Sequence, residues 1–259
     1  MSEFVLAKVE IEETAATIAA DRTYLPLAVD AIKQARRDIE RHIRKDRFFL
    51  TTLEPYDLHD GASDTVMRMC KASKAAGVGP MATVAGAIAQ VSLEAMVRAG
   101  CRHGWVDNGG DVALILEKPV TLEVFSQPGA DTATILELEP TSAVEGICTS
   151  SGRLGHSISF GNSDATVSIA KDAILADALA TAIGNRVRDQ SSLATCFDDF
   201  KSIDGFIGGL VLIDGKAAMY GTLPRIVEGE HNPDRVTAHT MMASSKYLGG
   251  SEPCTEAQL

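Results

Sequence analysis

Residues 77–116 read GVGPMATVAGAIAQVSLEAMVRAGCRHGWVDNGGDVALIL. Gly77, Gly79 and Pro80 interrupt the chain, and Met81 to Ala99 then forms a run that predicts a helix stopped by Gly100. Its residues are small and carry no charge before Glu94, so the helix is expected to be buried and closely packed. Directly after it, Gly104–Val106 and Val112–Leu116 read as short strands on either side of Asn108-Gly109-Gly110-Asp111. A buried helix leading into a tight strand pair, without a regular βαβ rhythm, points to an α+β fold in one compact unit.

Working outward, Ser63 is placed to cap a helix through Ala76, which Gly77 ends in a left-handed conformation. Further upstream, Pro26 opens a helix to about Lys45. Ala28, Ile32, Ala35, Ile39 and Ile43 share one face of it, and the opposite charged face is read as solvated. Val5 to Ala16 reads as a single first strand. Downstream, strands are expected at Val120–Phe125, Thr134–Leu138 and Ala165–Ala170, followed by a helix from about Asp172 to Val187. Phe206–Ile213 and Lys216–Tyr220 flank Asp214-Gly215, a strong hairpin signal. One domain over 1–247 and a loose tail over 248–259 are expected.

The chain has 259 residues, 45% of them hydrophobic, enough for a core without disulfides. Its net charge is −11, and between Asp107 and Glu145 eight acids face one base, Lys118. A nucleic-acid surface needs clustered Lys and Arg, so a nucleic-acid partner is not expected. An anionic membrane surface is disfavoured for the same reason. The uncharged run Ala75 to Leu93 is interrupted by Gly77, Gly79 and Pro80 and reads as a core helix rather than a membrane span. Cys70, Cys101, Cys148, Cys196 and Cys254 form no CxxC pair, and the acidic N-terminus is unlike a signal peptide; a reducing, cytoplasmic setting is expected.

Four segments could carry chemistry. Gly77-Val78-Gly79-Pro80 ahead of a helix is either a tight connection or an anion site on free backbone N–H groups. Asp107 to Asp111 is either a hairpin turn or a site that offers carboxylates and an amide to a cation or hydroxyl. Cys148-Thr149-Ser150-Ser151-Gly152, with His156 behind it, is too polar for a buried strand without many partners. It reads as a phosphate- or hydroxyl-binding loop, with a Cys148–His156 nucleophile as the other reading. Asp177 and Thr181 lie four apart on one helix face. They make a hard-oxygen pair suited to Mg²⁺, unless Thr181 simply bonds back to its own helix.

In this order the segments resemble the ApbE-like superfamily, named for FAD:protein FMN transferases. The similarity is greatest to a branch marked by VGPMA-x-VAGAIA, NGGD, CTSSG-x-x-GHS-x-SFG and ADA-x-ATAIGN, here Val78–Ala89, Asn108–Asp111, Cys148–Gly161 and Ala176–Asn185. The resemblance implies an α+β fold with a mixed or antiparallel sheet and a cleft for FAD or FMN. It also implies Mg²⁺ on Asp177 and Thr181, with a backbone carbonyl from Pro80–Gln90 as a further ligand. Where the transferases carry Lys-Gly-x-x-x-Asp, this chain reads Ala85-Gly86-Ala87-Ile88-Ala89-Gln90. It also lacks their Asp-Pro after His156.

The expected function is a Mg²⁺-dependent enzyme, a transferase of the ApbE-like type in outline, acting on a phosphorylated or nucleotide-like small molecule related to flavin. Asp177 and His156 would serve catalysis. Gly79, Asn108, Gly109, Gly110, Asp111, Thr149, Ser150, Ser151 and Gly152 would line the ligand. A flavin- or metabolite-binding protein without catalysis, and a metal-free Cys148–His156 enzyme, are the other two readings. A homodimer is the expected assembly. Asp177→Ala is expected to abolish Mg²⁺-dependent ligand binding with the fold intact.

Overall fold

The structure is a computed structural model that describes residues 3–58, 61–126, 131–152 and 161–230. Eight strands form one antiparallel sheet: β1 (Phe4–Ile11), β2 (Thr14–Asp21), β3 (Gly104–Asp107), β4 (Asp111–Ile115), β7 (Glu145–Ser150), β8 (Ala165–Ala170), β9 (Phe206–Ile213) and β10 (Lys216–Gly221), in that spatial order. A second antiparallel sheet holds β5 (Val120–Ser126), β6 (Thr132–Leu138) and β11 (Arg225–Glu230), with β6 in the centre.

Side chains alternate across the large sheet, and the two faces bury different partners. Ile18, Val106, Ala113, Cys148 and Val211 face a helical layer made of α1 (Leu25–Lys45), α3 (Asp64–Ala76), α4 (Val84–Arg98) and α5 (Ala173–Arg186); the one-turn α2 (Phe48–Thr51) adds Phe49. Trp105, Leu114, Ile147, Val167 and Leu210 face the small sheet, whose Leu122, Val124, Leu136 and Leu138 complete a second core. The protein therefore has three layers, helices on sheet on sheet, an α+β arrangement as read from the sequence.

Local signals explain most boundaries. Ser63 Oγ accepts the Val66 N–H at 3.4 Å and Gly77 closes α3 at φ +73°. Asp214 and Gly215, at φ +48° and +73°, form the tight turn between β9 and β10. Asp172 caps α5 by accepting the Leu175 N–H at 2.8 Å. The stretch Pro80–Arg98 is long and apolar enough to cross a membrane, yet most of it is buried between its neighbours.

Three readings change. Val5–Ala16 is not one strand: the chain reverses at Glu12-Glu13, with Glu12 at φ +51°, and β1 pairs with β2 from Phe4↔Asp21 to Ile11↔Thr14. No glycine or asparagine marks that turn. The helix expected from Met81 begins at Val84, because Pro80–Thr83 is a separate 3-10 turn held by Thr83 Oγ1 donating to the Pro80 carbonyl at 2.7 Å. The polar run Cys148–Ser150 is a buried strand, not a loop, and it pairs on both edges. Its small side chains let α5 lie directly on it: a Cβ on Gly146 would come within 2.3 Å of the Ala173 backbone. Strand β11 carried no signal that the sequence reading used. His156, Cys254 and the tail 248–259 lie outside the described residues.

Candidate functional site

The site is organised by two small-residue helices that cross at Gly86. A Cβ there would stand 2.2 Å from the Ala173 carbonyl oxygen and 2.8 Å from Asp177 Cβ, so only glycine allows this approach. At such a distance each helix ends against the other's side chains. Thr83 makes no side-chain cap for α4. The first-turn N–H groups of Ala85 and Gly86 instead donate to the Asp177 carboxylate, at 2.9 Å from Gly86. In return Gln90 Oε1 accepts the Ala173 N–H of α5 at 2.8 Å, while its Nε2 donates to Glu94 at 2.8 Å. Helix N-termini carry partial positive charge, which suits a carboxylate at this position. The N–H groups that a phosphate would have used are thus occupied by the protein itself.

Beside this pair stands the β3–β4 turn. Gly109 and Gly110, at φ +70° and +98°, allow the two-residue reversal that joins Asn108 N–H to the Asp111 carbonyl at 3.1 Å. Asp107 Oδ1 accepts the Gly110 N–H at 2.7 Å, and Asn108 Nδ2 donates to the Ala85 carbonyl at 3.2 Å. The turn is therefore fastened to the start of α4, and Asp111 comes within electrostatic reach of Asp177.

Asp177 is 8% exposed, and burial pushes its carboxyl up to about 7 against the pull of the two N–H groups. Burial raises Asp111 well above the usual carboxylate range as well, and the negative charge of Asp177 adds to the shift. Among the described residues no lysine or arginine offsets either carboxyl. Burial and, for Asp111, the neighbouring Asp177 charge both favour the protonated form of these carboxyls. The unfolded chain ionises these groups near 3.8, so ionisation costs more in the folded state. The cost builds as pH rises from the unfolded value toward the folded one, and stability should therefore fall from about pH 4 to about pH 7. Thermal melts in EDTA check this, and Asp111→Asn should flatten the profile. A parent curve that is already flat would show that the pair is not coupled.

The turn lines a cleft of about 920 Å³ together with the β1–β2 reversal, α1 and α4. Ile39, Ile43, Leu50, Met81, Val84 and Ile88 make an apolar wall; Asn108, Gly109 and Asp111 line it from the turn, and Glu12, Glu13, Glu40 and Arg36 from the β1–β2 reversal and α1. A volume of this order fits a cofactor-sized ligand. Arg36 donates to Thr14 Oγ1 at 2.8 Å, to Glu12 at 2.6 Å, to Glu13, and to Glu40 at 3.3 Å.

The residues singled out from the sequence divide. Asn108, Gly109, Gly110, Asp111 and Asp177 come together. Thr181 lies one turn beyond Asp177 on α5 and is half-buried. Thr149 reaches the turn through its N–H, which donates to the Gly110 carbonyl at 3.2 Å; Ser150 ends the strand, Ser151 follows it, and both are buried. Gly152 packs on Gly161, where a Cβ would lie 2.1 Å from the carbonyl oxygen, and Gly79 packs on the Thr52 carbonyl in the same way. Cys148 is fully buried, its thiol donates to the Ala173 carbonyl at 3.3 Å, and burial pushes its ionisation far up. A nucleophilic cysteine needs the opposite shift and access. Among the described residues no cysteine is in a disulfide. Arg36, Glu12, Glu13 and Glu40 were missed because the charged face of α1 reads as solvent-facing. Arg36 and Glu40 nonetheless stand one turn from the apolar Ile39 and Ile43, a spacing that places them at the edge of the buried face.

Among the described residues, no three His, Cys, Asp or Glu side chains form a metal-binding group. The donors on hand for a hard cation are the Asp111 and Asp177 carboxylates, backbone carbonyls and water, a set that suits Mg²⁺.

Comparison with known proteins places this architecture. Solved ApbE flavin transferases share this fold of helices on an antiparallel sheet. The ApbE protein of Thermotoga maritima superposes with a TM-score of 0.58 over 85% of this chain and 97% of its own, at 13% identity. The flavin transferase ApbE of Vibrio cholerae gives 0.56 with the same coverage and identity. The family model described as AbpE bacteria matches residues 5–197, and the chain belongs to this ApbE-like family. It is 46% identical to a UPF0280 protein of Methanocella arvoryzae, over 89% of this chain and 94% of that protein. A UPF0280 protein of Archaeoglobus fulgidus is 38% identical over 89% and 97%.

Proposed function

We propose that the cleft binds a flavin-type ligand and that the protein is a Mg²⁺-dependent enzyme acting on its phosphorylated or nucleotide form. The observation that carries this reading is the cleft itself: an apolar wall beside the glycine turn, with Asp111 in its lining and within electrostatic reach of the buried Asp177. The planar ring of a flavin would lie along Ile39, Ile43, Val84 and Ile88. Its polar tail would extend to Asn108 and the Gly109-Gly110 backbone, where glycine leaves room for close approach. Asp177, with Asp111 across from it and Thr181 one turn on, would hold Mg²⁺. When bound, the ion supplies charge neutralisation for a pyrophosphate or similar oxygen. The solved flavin transferases of the same fold support a flavin as ligand.

The test is flavin-fluorescence titration with and without Mg²⁺, alongside thermal melts. Leu50 lines the cleft and is 38% exposed, so Leu50→Asp should fold and weaken binding by about tenfold, the loss of one apolar contact of ~1.4 kcal/mol. Mg²⁺ should raise the melting temperature at pH 8 and not at pH 5, where the carboxyl pair is protonated. Absence of flavin binding, or a Mg²⁺ effect independent of pH, would sink the reading.

A second reading, binding without catalysis, is favoured by one observation. Gln90 stands at one of the family's charged positions, is buried, and already engages both ends of its amide within the protein, on Ala173 and Glu94. Flavin binding without Mg²⁺-dependent turnover would select this reading.

A further inference from the structure

The polar lining of the cleft is not neutral, and its charge bears on which ligand it takes. At the β1–β2 end three glutamates, Glu12, Glu13 and Glu40, surround one arginine, an excess of two negative charges. Arg36 cannot serve as a ready anion site. Its side chain is 11% exposed and its guanidinium is already engaged by all three carboxylates and by Thr14. Glu13 is held below the usual carboxylate range by this hydrogen bond, so it stays ionised at neutral pH. Asp111 adds a further acidic group to the lining. Among the described residues, Arg36 is the only cation that lines the cleft. An apolar body is thus welcomed along the wall, while a free phosphate meets the net negative charge of the Glu12, Glu13 and Glu40 rim.

We infer that the cleft discriminates between flavins by charge: it accepts the uncharged ring compound directly and a phosphorylated form only as its divalent-cation complex. The inference rests on the flavin reading above and adds to it the role of the Glu12–Glu13–Glu40 rim. Four unit repulsions between a phosphate dianion and the excess charge, across a watery cleft of several ångströms, amount to about a tenfold penalty, which salt reduces.

The experiment titrates riboflavin, FMN and FAD into the full-length protein by fluorescence quenching at low ionic strength, first in EDTA and then in excess Mg²⁺. Riboflavin should bind alike in both. FMN should bind about tenfold more weakly than riboflavin in EDTA and recover with Mg²⁺, and added salt should narrow the gap. Glu13→Gln, at a largely exposed position, should raise the FMN-to-riboflavin affinity ratio in EDTA by about threefold. Glu12→Gln combined with Glu13→Gln and Glu40→Gln should close the gap. FMN binding as tightly as riboflavin in EDTA, or a ratio unmoved by these substitutions, overturns the charge inference and leaves the flavin reading standing. No binding of any of the three, with or without Mg²⁺, overturns both.

Discussion

Replacing Gly86 by alanine should cost more than about 3 kcal/mol and lower the melting temperature by about 6–12 °C, or leave no soluble protein. The added Cβ would stand 2.2 Å from the Ala173 carbonyl oxygen, and that oxygen belongs to the backbone of a largely buried helix, so no side-chain rotation relieves the clash. Relief requires α4 and α5 to separate, which breaks both reciprocal caps, Asp177 on Gly86 and Gln90 on Ala173. Gly109→Ala is the matched control. Nothing lies within 4 Å of a Cβ there, and only the positive φ is strained, for about 1 kcal/mol. Chemical denaturation of the two variants separates packing from backbone strain. If Gly86→Ala melts like Gly109→Ala, the helices do not cross this closely.

Asp177 is the second position of large effect, and here the structure adds a role that alters the expectation from sequence. A carboxylate treated only as a cation ligand could be removed with the fold intact. Because Asp177 also accepts the Ala85 and Gly86 N–H groups, Asp177→Ala leaves buried donors unpaired and should cost about 2–3 kcal/mol. Asp177→Asn keeps an oxygen for those donors and removes the like charge facing Asp111. Its stability should match the parent within about 1 kcal/mol and exceed it at alkaline pH in EDTA. Its response to Mg²⁺ should vanish. Melting curves of both variants in EDTA and in Mg²⁺ resolve the two roles. An alanine variant as stable as the asparagine one would refute the capping role, and an asparagine variant that still responds to Mg²⁺ would refute the cation role.

The same helix pair shows how far the sequence could be read. The spacing of Ala28, Ile32, Ala35 and Ile39, the cap at Ser63, the stop at Gly77 and the turn at Asp214-Gly215 each act over a few residues. They were therefore legible, and the element types they imply are those of the structure. The order of the four segments, taken with the family resemblance, brought the Asn108–Asp111 turn and Asp177 under suspicion together. What failed was local logic applied to tertiary facts. Cys148–Ser150 looks too polar for a core strand until α5 is laid on its small side chains. The charged face of α1 looks solvated until the β1–β2 reversal brings Glu12 and Glu13 to Arg36.

Local backbone preferences and the hydrophobic period were thus determined by the sequence alone, since they depend on neighbours within a turn or two of chain. The partners of the charged and polar groups were decided only by the tertiary structure. Gly86 and Asp177 are separated by 91 positions and Ala173 and Gln90 by 83, yet each pair shares one hydrogen bond in the core. Whether Asp177 meets solvent, a helix terminus or another carboxylate sets its ionisation, because the energy of a charge depends on what surrounds it in space.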